Sequence, residues 1–147
     1  MTKFAKSIEI EASPEKVFAF LLDAEKMNEV TKGYSESEYT SKGAVGVGTT
    51  LHSVSKAGGQ QAEVDMKVTE FVKDKKISMH TIGASKVKAD NSYTLEPIAK
   101  GTKLTMSMGY ELPYSVLGKI VDKLRVSKDV EKTMEKQLGI MKKALET

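Results

Sequence analysis

Histidines, cysteines, paired carboxylates and activated serines carry most enzyme chemistry, and in this sequence they are few or scattered. There are two histidines, His52 and His80, and no cysteine. A zinc site needs three or four convergent ligands, so no metal site is expected. Alternation sets His80 opposite Ile77 and Met79, and His52 opposite Leu51, so both histidines should point outward. A serine nucleophile needs a base within hydrogen-bond reach, and no G-x-S-x-G elbow is present. The carboxylates fall mainly on the polar sides of strands and helices, which reads as solvated surface. The remaining candidates are neutral: Thr81, Asn91, Tyr93 and Tyr110 share an apolar face. Asn91, set among Val87, Ala89 and Tyr93, must find hydrogen-bond partners if buried. A ligand, a neighbouring tyrosine or a trapped water would serve. The tyrosines are either aromatics at the core's edge or hydroxyls directed at a ligand.

A second stretch invites a chemical reading. Gly43-Ala44-Val45-Gly46-Val47-Gly48-Thr49-Thr50-Leu51 places three glycines within six residues. A phosphate-binding loop of this kind opens a helix whose N-terminal amides hold the anion. Here a β-branched run follows, the spacing is not G-x-G-x-x-G, and no Lys-Ser/Thr pair closes a P-loop. The run reads instead as a turn between strands, with glycines supplying positive φ.

These residues depend on the elements that carry them. Residues 4–11 alternate, with Phe4, Lys6, Ile8 and Ile10 on one face. Ser13 suits an N-cap and Pro14 a first helical position, with Val17, Phe18, Leu21 and Leu22 at helical spacing. A second short helix or turn covers roughly residues 24–30. Strands are expected over 34–41 and 49–55. The cleanest runs over 61–72, with Ala62, Val64, Met66 and Val68 facing one way. Ile77, Met79 and Thr81 line the next strand. Val87, Ala89, Asn91, Tyr93 and Leu95 line another, and Leu104, Met106, Met108 and Tyr110 the last. From Pro113 the period changes: Leu117, Ile120, Val121, Leu124, Val130, Met134, Leu138, Met141 and Leu145 mark a long amphipathic helix.

The 147 residues suit one domain spanning 1–147. Net charge is +3 from 23 basic and 20 acidic residues, scattered, with one arginine and no tryptophan. That is a lysine-rich surface without the basic stripe and aromatic readers of a nucleic-acid binder, so no nucleic acid is expected. The longest apolar run, Val17–Leu22, is far short of the ~20 residues that span a bilayer. Stable membrane insertion is therefore not expected. The N-terminus lacks the apolar core of a secretory signal, and the absence of cysteine fits a reducing cytoplasm.

An antiparallel sheet with one apolar face must cover it. One helix is about 10 Å across, whereas six or seven strands at roughly 4.8 Å spacing make a sheet about 30 Å wide. A single helix cannot fill that width. The inward residues are medium-sized and flexible, several of them methionines among the chain's eight. The layout implies a pocket suited to a small apolar ligand; a solid, methionine-packed core is the other outcome.

Several short segments resemble one family. Ala12–Asp23 (ASPEKVFAFLLD) is similar to the "APxEkVFafltD" opening of the polyketide cyclase/dehydrase and lipid-transport family, in the START-like, Bet v 1-like superfamily. Val45–Thr50 resembles its "vGvGt", and Thr69-Glu70-Phe71 before Lys75–Ser78 its "vtefdpprrls". Tyr93–Pro97 and Gly101–Thr105 resemble "ytlep...GTrlt", and Leu138, Met141–Lys143 and Leu145-Glu146 resemble "nLkklkelle". The matches run in register over nearly the whole chain. One departure is the stretch Met27–Lys32, which has no tryptophan where many members place one.

The resemblance implies an α+β helix-grip fold: a curved antiparallel sheet of six to seven strands wrapped around a long C-terminal helix, with two short helices after the first strand. It also sets the glycine turn near one end of the pocket, where it could gate access. The function implied is binding or carriage of a small hydrophobic molecule (lipid, polyketide or other aromatic or apolar metabolite). The expected ligand-binding residues are Met66, Met79, Thr81, Asn91, Tyr93, Met106, Met108, Tyr110, Ile120 and Leu124. No cofactor is expected, and the chain should be a monomer or weak dimer. The alternatives are a polyketide cyclase/dehydratase, in which these residues would orient a poly-β-keto chain, and an interaction module like the family's chaperone activators. Fold alone does not choose among them.

Overall fold

The computed structural model of the protein describes residues 2–57, 60–83, 88–111 and 123–147. Strand β1 (Thr2–Ile10) is followed by helices α1 (Pro14–Leu22) and α2 (Ala24–Val30). Six strands come next: β2 (Ser35–Tyr39), β3 (Thr50–Ala57), β4 (Gln60–Val72), β5 (Lys76–Ile82), β6 (Lys88–Ile98) and β7 (Gly101–Glu111). Helix α3 (Lys123–Leu145) ends the fold. The expected start of this helix, residues 113–122, lies outside the described residues.

Local chemistry sets the helix boundaries. The Ser13 hydroxyl accepts from the Lys16 amide at 3.3 Å, and Pro14 occupies the first turn, where it forfeits no hydrogen bond. Asp23 has an extended backbone, so α1 stops there, and its carboxylate accepts from the Lys26 amide at 3.1 Å to start α2. One residue thus makes two short helices out of a single stretch.

The seven strands form one antiparallel sheet in the order β1-β7-β6-β5-β4-β3-β2. Both edges are covered. On β1, the Glu9 carbonyl accepts from Lys142 Nζ at 2.7 Å, and the Glu11 amide donates to Glu146 Oε2 at 2.8 Å, both from the end of α3. On β2, the Asn28 side chain exchanges two hydrogen bonds of 2.9 Å with the Ser37 backbone, and Thr31 Oγ1 donates to the Ser35 carbonyl at 2.8 Å. These contacts satisfy groups that would otherwise offer a template to another strand.

A bulge interrupts β4. Val68 pairs with Met79 and Glu70 with Ser78, leaving Thr69 as the extra residue. The facing therefore switches. Phe71 turns inward and meets Phe18 of α1 edge to face at 5.3 Å between centroids, while Val72 is exposed. The core gathers Phe18 and Leu21 of α1, Val68, Ile77, Leu95 and Leu104 of the sheet, and Met134, Leu138, Met141 and Leu145 of α3.

Candidate functional site

The inner face of the sheet changes character along its strands. Inner-facing residues near α1 are closed off: Val68, Ile77, Leu95 and Leu104 are no more than 3% exposed. Moving toward the other end, β4, β5, β6 and β7 open by degrees. On β4 the buried Val68 and Met66 give way to half-buried Val64 and Ala62; on β5 Ile77 gives way to Met79 and Thr81. On β6 Leu95 gives way to Tyr93, Asn91 and Ala89, and on β7 Leu104 and Met106 to Met108 and Tyr110. The result is a concave, partly accessible wall whose side chains are mostly methionine and small residues.

Asn91 sits near the middle of that wall. It is opposite Met79 on β5 and Met108 on β7. Its amide nitrogen reaches the Met66 sulfur at 4.0 Å, a weak acceptor. Its side-chain oxygen is buried and has no hydrogen-bond partner among the described residues. An orphaned buried acceptor costs about 1–3 kcal/mol, and a native structure that keeps one has a reason to do so.

The neighbouring polar groups are differently occupied. Thr81 Oγ1 accepts from the Ala89 amide at 3.2 Å, which ties β5 to β6. Tyr93 lies between Ile77 and Met106, and burial pushes its phenol up to about 12. Tyr110 stacks on Phe4 with centroids 5.9 Å apart, and burial raises its pKa as well. Met66 and Met106, each 3% exposed, stand where the accessible wall passes into the core. Of the ten residues expected from the sequence, Met66, Met79, Thr81, Asn91, Tyr93, Met106, Met108 and Tyr110 thus share one continuous surface. Ile120 and the side chain of Leu124 lie outside the described residues.

Sequence reasoning missed the opposite side of the same face. Ser35 and Ser37 on β2 pair with Ser55 and Ser53 on β3, and the Ser37 and Ser53 hydroxyls bond each other. Ser53 is buried and the other three are half-buried. The inner surface is therefore methionine-lined on β4–β7 and hydroxyl-lined on β2–β3. The period-two spacing of serines in S-E-S-E-Y and H-S-V-S was the available signal.

The glycine turn lies at the other end. The Gly48 amide donates to the Val68 carbonyl at 2.9 Å, and the Val68 amide to the Thr49 carbonyl at 2.8 Å. Gly43 and Gly48 take φ of +96° and +95°, which glycine adopts without strain. Val45 packs on the core. The end of the turn is thus tied by its backbone to Val68 of β4, at the closed end of the sheet.

Both histidines are on the outer face, as alternation predicted. His80 is exposed. His52 Nδ1 is 2.8 Å from Asp65, and that hydrogen bond holds its pKa above the ordinary value. Lys6 is the exception on the inner face of β1. Its ammonium lies 3.1 Å from Glu135 and 3.8 Å from Glu131 of α3, and the Glu135 hydrogen bond raises its pKa. Among the described residues, no three His, Cys, Asp or Glu converge as metal ligands. No described helix is long and apolar enough to cross a membrane.

With this geometry in hand, comparisons with known proteins are informative. The family model described as polyketide cyclase / dehydrase and lipid transport matches residues 1–146. No curated protein matches the sequence. Among solved structures, protein TTHA0849 from Thermus thermophilus is similar with a TM-score of 0.81 at 19% identity, over 98% of this chain and 97% of that one. A START superfamily protein from Mycobacterium smegmatis aligns with a TM-score of 0.77 at 16% identity, over 98% and 97%. Ara h 8.0201 aligns with 0.67 at 17% identity, also over 98% and 97%. At these identities the structural likeness is one of fold, and it is the helix-grip fold expected from the sequence.

Proposed function

Because the chain belongs to the polyketide cyclase / dehydrase and lipid transport family, we propose that it is a single-domain cytoplasmic carrier that holds a small hydrophobic molecule against the accessible half of its sheet. The observation that carries this reading is the orphaned Asn91 oxygen in the middle of a half-buried methionine wall. Burial of the ligand's apolar surface would supply the affinity, at about 25 cal/mol per Å² before the costs of association. Met79 and Met108 would shape themselves to it, as flexible thioethers do. Tyr93 keeps its proton at neutral pH, since burial pushes it up to about 12. It is thus suited to donate a hydrogen bond and not to act as a base.

Titration with the fluorescent apolar probe N-phenyl-1-naphthylamine tests the reading. Saturable binding at one probe per chain is expected. Ala89 is half-buried on the inner face beside Tyr110. Ala89→Trp should fill the wall and weaken binding by about tenfold or more. Absence of saturable binding, or binding indifferent to Ala89→Trp, would overturn it. Native mass spectrometry of the purified protein would show which molecule travels with it.

A further inference from the structure

We infer that the ligand carries a neutral hydrogen-bond donor, a hydroxyl or phenol on an otherwise apolar body, which the Asn91 side-chain oxygen accepts. The inference rests on the cavity reading above and names the chemistry the cavity selects. Its basis is the state of the amide's two ends. The nitrogen faces the Met66 sulfur at 4.0 Å, which can accept weakly but cannot donate. Turning the amide over would set the oxygen against that sulfur, where no donor exists, so the orientation with the oxygen free is the one a ligand can complete. That oxygen is buried, and Met79 and Met108, its cross-strand neighbours, have no donor to offer it.

The surroundings argue against an ionised ligand. Lys6, the lysine on the described inner face, is already engaged by Glu131 and Glu135. An anion brought to Asn91 would be desolvated beside a carbonyl oxygen and thioethers, with no free cation among the described inner-face residues to meet it. A donor-free apolar ligand would leave the acceptor unpaired. Discrimination of this type is strong where a site is built to bond a hydroxyl and weak where it is not. The half-buried serines of β2 and β3 are across the same face. They tolerate polar substituents on the far side of such a ligand, because a hydroxyl can donate or accept.

The test is a cycle of two proteins and two probes: wild type and Asn91→Leu, each titrated with 2-naphthol and with its methyl isostere 2-methylnaphthalene. The ratio of affinities cancels most of the difference in probe hydration. Asn91→Leu should lower the naphthol-to-methylnaphthalene ratio by about 5- to 100-fold. The ligand-free variant should melt about 2–4 °C above wild type, since an orphaned acceptor has been removed from the interior. An asparagine kept for structure alone would instead leave a variant that melts lower, which would overturn the inference. An unchanged ratio with both probes bound would also overturn it and leave the cavity standing. Failure of both probes to bind wild type would sink the cavity reading itself. Asn91→Val serves the same comparison if the leucine variant does not fold.

Discussion

Met106 and Met108 are two residues apart on β7, point to the same side of the sheet, and live in different surroundings. Met106 is 3% exposed and belongs to the core; Met108 is half-buried and belongs to the accessible wall. The same step recurs between Leu95 and Tyr93 and between Ile77 and Met79. Nothing in the alternation of the strands distinguishes the two halves. What differs is the cover. Phe18 and Leu21 of α1, the glycine turn bonded to Val68, and the apolar stripe Met134–Leu145 of α3 all converge on one half. Among the described residues, a sheet closed firmly at one end presents a half-buried wall toward its other end. Stability and binding are thereby assigned to different stretches of the same strands.

The sharpest way to break that division is at the junction where the closed half is locked. Gly101 has φ +151°, and a Cβ there would stand 2.3 Å from the Ile10 carbonyl oxygen and 2.7 Å from the Ala12 amide. Next to it, Thr102 is fully buried and its hydroxyl donates to the Ala12 carbonyl at 2.7 Å. The chain leaving β1 for α1 is thus pressed against the start of β7, with backbone on both sides. Gly101→Ala should cost about 3–5 kcal/mol and lower the melting temperature by on the order of 10 °C. A variant melting within a degree or two of wild type would mean that the closed half is not rigid there.

A finer test uses the two methionines themselves. Met106→Ala should cost about 2–4 kcal/mol, the range for a core truncation that leaves a cavity. Met108→Ala removes a side chain with less surface buried and should cost about 1 kcal/mol or less. Their effects on probe binding should be reversed, with Met108→Ala changing affinity and Met106→Ala leaving it near wild type. Chemical denaturation and probe titration on the same two variants measure both halves of the comparison. Equal destabilisation by the two would erase the boundary.

Much of this was legible in the sequence because it depends on period. Alternation put Met66, Met79, Asn91, Met108 and Tyr110 on one face, and Ser13-Pro14 announced α1 correctly. The parts that failed were those in which one residue changes the count or a distant partner sets the role. Strict alternation from Ala62 would turn Val72 inward; the bulge at Thr69 turns Phe71 inward instead and exposes Val72. The serine wall was overlooked because serine scores as surface, whereas pairing β2 with β3 puts four of them face to face. The glycine turn was recognised as a turn, but only its hydrogen bonds to Val68 assign it to the closed end. Alternation puts Lys6 on the face of Phe4, Ile8 and Ile10, and only α3 supplies its partners, Glu131 and Glu135.

The smallest expected effect separates the two halves by charge. At the closed end, Glu146 accepts from Lys142 Nζ at 2.7 Å and from the Glu11 amide at 2.8 Å, and these bonds hold its carboxyl below its ordinary value of 4.5. A carboxyl depressed on folding contributes stability that is present above its unfolded pKa and lost as pH falls through the folded one. Farther along β1, opposite Met106 at the boundary, Lys6 is held above its ordinary 10.5, chiefly by Glu135. A lysine raised on folding contributes stability present below its unfolded pKa and lost as pH rises through the folded one. The two clasps therefore fail at opposite ends of the pH scale. Both are solvent-exposed, so salt should weaken each of them and the shifts in melting temperature should be small. Glu146→Gln should flatten the acid limb of the stability profile and leave the alkaline limb alone; Glu135→Gln should do the reverse. Lys6 lies nearer the accessible half than the Glu146 clasp does, so Glu135→Gln should also speed release of a bound apolar probe, and Glu146→Gln should not. Equal release rates in the two variants would mean that both clasps hold the helix as one rigid piece, and that only the apolar stripe distinguishes the closed end from the open one.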